Sequence, residues 1–100
     1  MALEKYEKKV PGKKKGDVLL FALSTCGWCR KTKNLLDSLG VGYGYIDVDL
    51  LDSQAKKEVM QEVSRWNPSS SFPTLVINRN KCIVGFQEDK IKETLGSGKS

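Results

Sequence analysis

A six-residue apolar run, Val18-Leu19-Leu20-Phe21-Ala22-Leu23, leads within three residues into Cys26-Gly27-Trp28-Cys29. Spanning a bilayer takes roughly 20 apolar residues, so the run reads as a strand buried on both faces. Beyond the cysteines, Thr32, Leu35, Leu36 and Leu39 fall at i, i+3, i+4 and i+7, one face of a helix that Gly40 ends. Tyr43–Val48 reads as a second strand, with Ile46 and Val48 on one face. A cysteine pair between a buried strand and a helix, inside a β-α-β unit, is the constraint from which the remaining assignments follow.

The rest of the chain continues the alternation. Asp52 or Ser53 caps a second helix with Ala55, Val59, Val63 and Trp66 as its stripe. Pro68 and three serines mark a loop closed by Phe72-Pro73. Thr74–Ile77 is a third strand, Asn78–Lys81 a hairpin turn, and Cys82–Phe86 a fourth strand antiparallel to it. Ile91 and Leu95 mark a last short helix. The order β-α-β-α-β-β-α predicts an α/β fold with a four-stranded mixed sheet flanked by helices. With 100 residues there is room for one domain, expected over 17–95, with a lysine-rich arm at 1–16 and a flexible tail at 96–100.

The net charge of +5 is unevenly spread, because residues 1–16 hold six lysines against Glu4 and Glu7. The domain itself is close to neutral. The arm is expected to act as a solvated terminus, with docking to an acidic partner as its functional alternative, and Val10-Pro11-Gly12 has the composition of a fold-back edge segment. No nucleic-acid motif accompanies it. Met1-Ala2-Leu3-Glu4 begins no apolar leader, so no secretory signal and no membrane association are expected.

The chain has no histidine, which removes Ser-His and Cys-His nucleophile pairs and His-bearing metal sites. Position decides the chemistry of the CxxC. Amides at a helix start lack intrahelical partners and the macrodipole presents positive potential there, so a thiolate at Cys26 would accept their hydrogen bonds. Arg30, Lys31 and Lys33 add positive charge. Cys29, one turn deeper, is expected to be buried and less ionised. Cys26 then attacks a disulfide and Cys29 resolves the mixed disulfide. A zinc site lacks a fourth ligand, since Cys82 is the one further cysteine, and no resident metal or cofactor is expected. A [2Fe–2S] cluster shared between two subunits is the alternative from the binding class. Cys82 is expected to be a small core residue, and a stray thiol beside a CxxC points to a reducing, cytoplasmic compartment. Trp28 is expected at the surface beside Cys26, offering an apolar contact, and Trp66 in the core.

With these residues in place, 17–95 resembles the glutaredoxin branch of the thioredoxin-like superfamily. Cys26-Gly27-Trp28-Cys29 is similar to the family's active-site CxxC, Phe72-Pro73-Thr74 to its cis-proline segment, and Gly85-Phe86-Gln87-Glu88-Asp89 to its Gly-Gly-x-Asp-Asp stretch. The resemblance implies a thioredoxin-like fold and a thiol–disulfide oxidoreductase serving electron transport and redox homeostasis. It implies a cis Phe72–Pro73 bond facing Cys26, leaving Phe72 backbone groups to pair with a bound peptide. Trp28, Arg30, Phe72, Pro73, Thr74, Gly85, Glu88 and Asp89 are the implied substrate contacts. Departures fall at substrate positions: Leu23 stands where glutathione-using members carry lysine, and Phe86 replaces a glycine. The expected partners are disulfide-bearing proteins or small thiols, with glutathione or another thiol as co-substrate and a reductase for recycling. The chain is expected to act as a monomer, or as a dedicated electron donor to one reductase.

Overall fold

The computed structural model describes residues 5–13 and 16–96; residues 1–4, Lys14, Lys15 and the tail at 97–100, parts of the expected arm and tail, lie outside the described residues. Its strands are β1 (Lys8–Val10), β2 (Val18–Ala22), β3 (Tyr43–Asp47), β4 (Thr74–Ile77) and β5 (Lys81–Val84). Its helices are α1 (Gly27–Ser38), α2 (Ser53–Trp66) and α3 (Glu88–Ile91), the last continuing as a π-turn over Lys92–Gly96.

β2 lies at the centre of the sheet, whose order is β1-β3-β2-β4-β5. It runs parallel to β3, with Phe21 opposite Ile46, and antiparallel to β4, with Phe21 opposite Thr74. Both faces of β2 are covered, which explains its unbroken apolar run. Val18, Leu20 and Ala22 pack with Leu35 and Leu36 of α1 and with Ile91 and Leu95. Phe21 packs on the opposite face with Ile46, Val59, Val63 and Val76. The thioredoxin-like α/β class expected from the sequence is the class observed. Trp66 lies half-buried at the end of the α2 stripe, with its indole N–H donating to Glu62 at 3.0 Å.

The sheet has five strands rather than the four expected. Residues 8–10 of the lysine-rich segment pair antiparallel with β3, Val10 opposite Tyr43 and Lys8 opposite Tyr45. The residues just before β1 are attached on the α2 side of the sheet. The Tyr6 hydroxyl donates to Glu58 of α2 at 3.2 Å, and the Glu7 carboxylate lies in the notch left by Gly44, where any Cβ would collide with it. Lys13 adds a separate parallel bridge to Val41, donating to the Gly40 carbonyl and accepting from Gly42 N–H. The strand signal was hidden because three residues are too few to display a period of two.

Several element ends differ by one or two residues, and these ends shape the site. β2 stops at Ala22, because the Leu23 carbonyl accepts a hydrogen bond from Cys26 N–H at 3.1 Å and closes a turn. β3 stops at Asp47, and Val48–Leu50 form a 3-10 turn. β5 runs Lys81–Val84, after which Gly85 leaves the strand at φ +80°, a conformation that favours glycine. Gly85 N–H then donates to the Pro73 carbonyl at 2.8 Å, tying the end of β5 to the loop before β4.

Candidate active site

Parallel β2 and β3 deliver their C-terminal ends to one side of the sheet, and antiparallel β4 begins there. Cys26 leaves β2 through the Leu23–Cys26 turn and is the N-cap of α1, with extended backbone at φ −88°, ψ 120°. Its Sγ accepts a hydrogen bond from Cys29 N–H at 3.1 Å. A side-chain acceptor at this position meets one of the amides that a helix start leaves unpaired, and sulfur takes the place usually held by a serine or aspartate oxygen.

The two sulfurs occupy different environments, and neither is in a disulfide. Cys26 is half-buried, whereas Cys29 is 0% exposed. Burial pushes the Cys29 thiol up to about 12, with its hydrogen bond and charge interaction with Cys26 acting in the same direction. A backbone hydrogen bond from Leu23 and the Lys33 ammonium pull it partly back. Cys29 therefore keeps its proton at neutral pH, and it is buried as expected from the sequence. Lys33 is itself held by Asp47 at 3.0 Å and lies 4.2 Å from the centre of the Tyr45 ring.

The turn before Cys26 is fixed from outside by Asp49, which accepts both the N–H and the hydroxyl of Ser24. These bonds, the hydroxyl's first, hold the Asp49 carboxyl below the ordinary aspartate range. Asp49 escaped the sequence reading because Asp47, Asp49 and Asp52 resemble a run of caps and turn residues. Nothing local to it signals a partner 25 positions away.

Trp28 is 58% exposed and stacks on Phe86, with ring centroids 5.8 Å apart and planes inclined by 28°. The Lys31 ammonium lies 5.0 Å from the Trp28 ring centroid, and Arg30 is exposed on the same helix. Trp28 and Phe86, with Phe72, Pro73 and Gly85, line a cavity of about 240 Å³. The Phe72–Pro73 bond is cis, as the family resemblance implies.

The remaining expected contacts are placed elsewhere. Thr74 is fully buried, and its hydroxyl donates to the Ser71 carbonyl at 2.7 Å and accepts from the Asn67 amide at 3.0 Å. Its side chain thus belongs to the loop behind Pro73 and not to the cavity wall. Glu88 and Asp89 begin α3 and line a separate hollow with Gln87 and Lys90, and Lys92 holds the Glu88 carboxylate at 2.9 Å. Cys82 lies half-buried on β5, its thiol pushed upward by burial. Leu23 is half-buried against the α2 side of the core.

Asn67 is the second residue that the sequence reading missed. It is 3% exposed and caps the end of α2 through its N–H to Val63 O. Its side-chain N–H₂ donates to Ser71 and Thr74, and its oxygen accepts from Ser69 N–H and hydroxyl. An asparagine followed by proline after a helix was the available signal. Among the described residues, no cluster of three or more Cys, Asp or Glu is placed to hold a metal ion, and no helix is long and apolar enough to cross a membrane.

Comparison with known proteins gives a consistent result. The glutaredoxin family model matches residues 18–82. A glutaredoxin-like 8.6 kDa protein from the rubredoxin operon of Clostridium pasteurianum is 31% identical over 78 residues, covering 78% of this chain and 96% of that protein. Among solved structures, the glutaredoxin of Methanosarcina mazei is 49% identical with a TM-score of 0.84, over 91% of this chain and 88% of the other. The methanoredoxin of Methanosarcina acetivorans is 50% identical with a TM-score of 0.83, over 85% and 90% of the two chains. Fold and family together support thiol–disulfide oxidoreductase chemistry. A thioredoxin-like sheet carrying a cysteine-capped helix, matched over most of its length by these relatives, belongs to the glutaredoxin family.

Proposed function

We propose that the chain reduces protein or low-molecular-weight disulfides by a two-step dithiol exchange through Cys26 and Cys29. The supporting observation is the 3.1 Å hydrogen bond from Cys29 N–H to Cys26 Sγ at the start of α1, with the Cys29 thiol buried behind it. The nucleophile of such an exchange is the thiolate, and the amide at the helix start is placed to donate to that sulfur.

In the first step the Cys26 thiolate attacks one sulfur of the substrate disulfide. A Cys26–substrate disulfide forms, the substrate S–S bond breaks, and the other half leaves as thiolate. This step also primes the second. Three influences hold the proton on Cys29, and the two that follow burial come from Cys26 itself. When Cys26 becomes a neutral disulfide sulfur its charge is gone, while the Leu23 hydrogen bond and Lys33 continue to favour ionisation. Cys29 gives its proton to the departing thiolate or to solvent, then attacks Cys26 Sγ. The second substrate thiolate leaves, and the pair ends as a Cys26–Cys29 disulfide. Two electrons have passed from the dithiol to the substrate. A thiol such as glutathione, or a reductase, returns the pair to the dithiol in a reducing cytoplasm.

Trapping tests the roles. Cys29→Ser is expected to accumulate a mixed disulfide with substrate, and Cys26→Ser to form none; the reverse pattern overturns the assignment. Comparing turnover with glutathione plus its reductase against turnover with a thioredoxin-reductase system identifies the class of electron donor.

A further inference from the structure

The cavity beside the cysteine pair has a composition that the exchange chemistry alone does not require. Its five lining residues, Trp28, Phe72, Pro73, Gly85 and Phe86, include no ionisable side chain. Its volume is about 240 Å³. Pockets that enclose a whole small molecule run from roughly 300 Å³ upward, so this space suits a single large side chain. Trp28 keeps more than half its surface exposed even though it is stacked on Phe86, leaving an apolar ring face for an incoming group. Gly85 leaves the cavity open, since a Cβ there would meet nothing within 4 Å.

The charged group placed against this apolar lining is positive: the Lys31 ammonium lies 5.0 Å from the centre of the Trp28 ring. Glu88 and Asp89 line a separate hollow, where the Glu88 carboxylate is held by Lys92. An occupant that meets both features carries an apolar side chain for the cavity and a carboxylate for Lys31.

We propose that the Trp28–Phe86 cavity is a specificity subsite for a large apolar side chain adjoining the disulfide cysteine of an acidic protein substrate. This rests on the dithiol-exchange reading above and names its substrate class. Glutathione meets only one of the two features, because its carboxylates can reach Lys31 but it carries no large apolar side chain for the cavity. Phe86 is the determinant, because it closes the wall on which Trp28 stacks.

The test uses the full chain, reduced and freed of reductant, in single-turnover mixing with symmetric disulfides of short peptides. The probes are acidic Asp-Cys-Phe, acidic Asp-Cys-Ser, basic Lys-Cys-Phe, glutathione disulfide and bis(2-hydroxyethyl) disulfide. The acidic Phe peptide is expected to react about tenfold faster than the acidic Ser peptide, the lower end of what filling an apolar pocket gives. It is also expected to outpace the basic Phe peptide and glutathione disulfide. Phe86→Gly should bring the Phe-to-Ser ratio towards one, while Phe86→Leu, which keeps an apolar wall, retains more of it. Equal rates for the Phe and Ser peptides, or a faster reaction with glutathione disulfide, overturn the subsite even while bis(2-hydroxyethyl) disulfide is reduced. Failure with every probe instead overturns the dithiol-exchange reading.

Discussion

Asp49 receives both donors of Ser24, its N–H at 2.8 Å and its hydroxyl at 2.6 Å. The pair joins the 3-10 turn after β3 to the turn that places Cys26, two residues beyond Ser24. Asp49 touches neither sulfur, so its role is to position the turn. Asp49→Ala is expected to slow formation of the Cys26 mixed disulfide roughly tenfold, since small misplacements of reacting groups carry penalties of this order or more. Asp49→Asn, which retains one acceptor oxygen, should recover part of the rate. Stopped-flow measurement on the Cys29→Ser background checks both, and equal rates in all three proteins would remove the positioning role. The acid dependence has a definite sign. The native Asp49 carboxyl is held below its ordinary value, so its contribution to stability is complete above about pH 5 and is lost as pH falls through the lower native value. Asp49→Asn should flatten that part of the stability profile.

Cys29 gives the opposite, alkaline dependence. The unfolded thiol ionises near its ordinary value of 9.0, while the native thiol holds its proton to about 12. Between those values the unfolded chain binds fewer protons, so the stability of the reduced protein falls as pH rises through that window. Denaturant melts of wild type and Cys29→Ala from neutral to alkaline pH should show the additional fall in wild type. Parallel profiles would contradict the burial of the Cys29 proton.

Lys33 pulls Cys29 towards ionisation from one turn further along α1. Removing its charge should burden the second exchange step and spare the first. Lys33→Met is expected to slow resolution by roughly threefold, a modest effect because Lys33 is the smallest of the influences on Cys29. Quenched-flow mass analysis would then find more mixed disulfide at early times. An unchanged intermediate level would leave Lys33 with its Asp47 pairing and its contact with the Tyr45 ring.

Asn67 organises the loop behind Pro73 by joining Ser69, Ser71 and Thr74 to the end of α2. Asn67→Ala removes the amide's bonds to Ser69, Ser71 and Thr74, although the Thr74 hydroxyl still donates to the Ser71 carbonyl. The expected loss is about 1 kcal/mol, the net worth of a typical intramolecular hydrogen bond. For a domain of this size, each kcal/mol lowers Tm by about 4–8 °C, which calorimetry resolves.

The cysteine pair was legible because its meaning depends on neighbours in sequence: a buried strand before it and an apolar helical face after it. Leu35 and Leu36 repeat often enough to display their period, and both are buried. The loop seats were not legible, because Asp49 and Asn67 are short polar residues of the kind found in any turn. Their partners are chosen by the folded chain, as the 25-residue separation of Ser24 and Asp49 shows. Thr74 illustrates the converse. Its motif position was readable, but the direction of its hydroxyl depended on Asn67 and Ser71 arriving beside it.

The attachment of β1 depends on a close approach that no periodicity reveals. A Cβ on Gly12 would stand 2.5 Å from Gly42 N and 2.6 Å from the Val41 carbonyl carbon, both backbone atoms. Gly12→Ala must therefore push the segment away from residues 40–42, where Lys13 now exchanges hydrogen bonds with Gly40 and Gly42. The expected cost is about 1–3 kcal/mol, as for other overpacked contacts. It should fall on the sheet edge and leave the Cys26 turn intact, since β3 lies between β1 and β2, the strand that leads into that turn. Hydrogen exchange should show faster loss of protection at Gly42 and Lys13, with the Cys29 and Arg30 amides little changed. Uniform loss across both groups would instead mean that β1 supports the whole sheet.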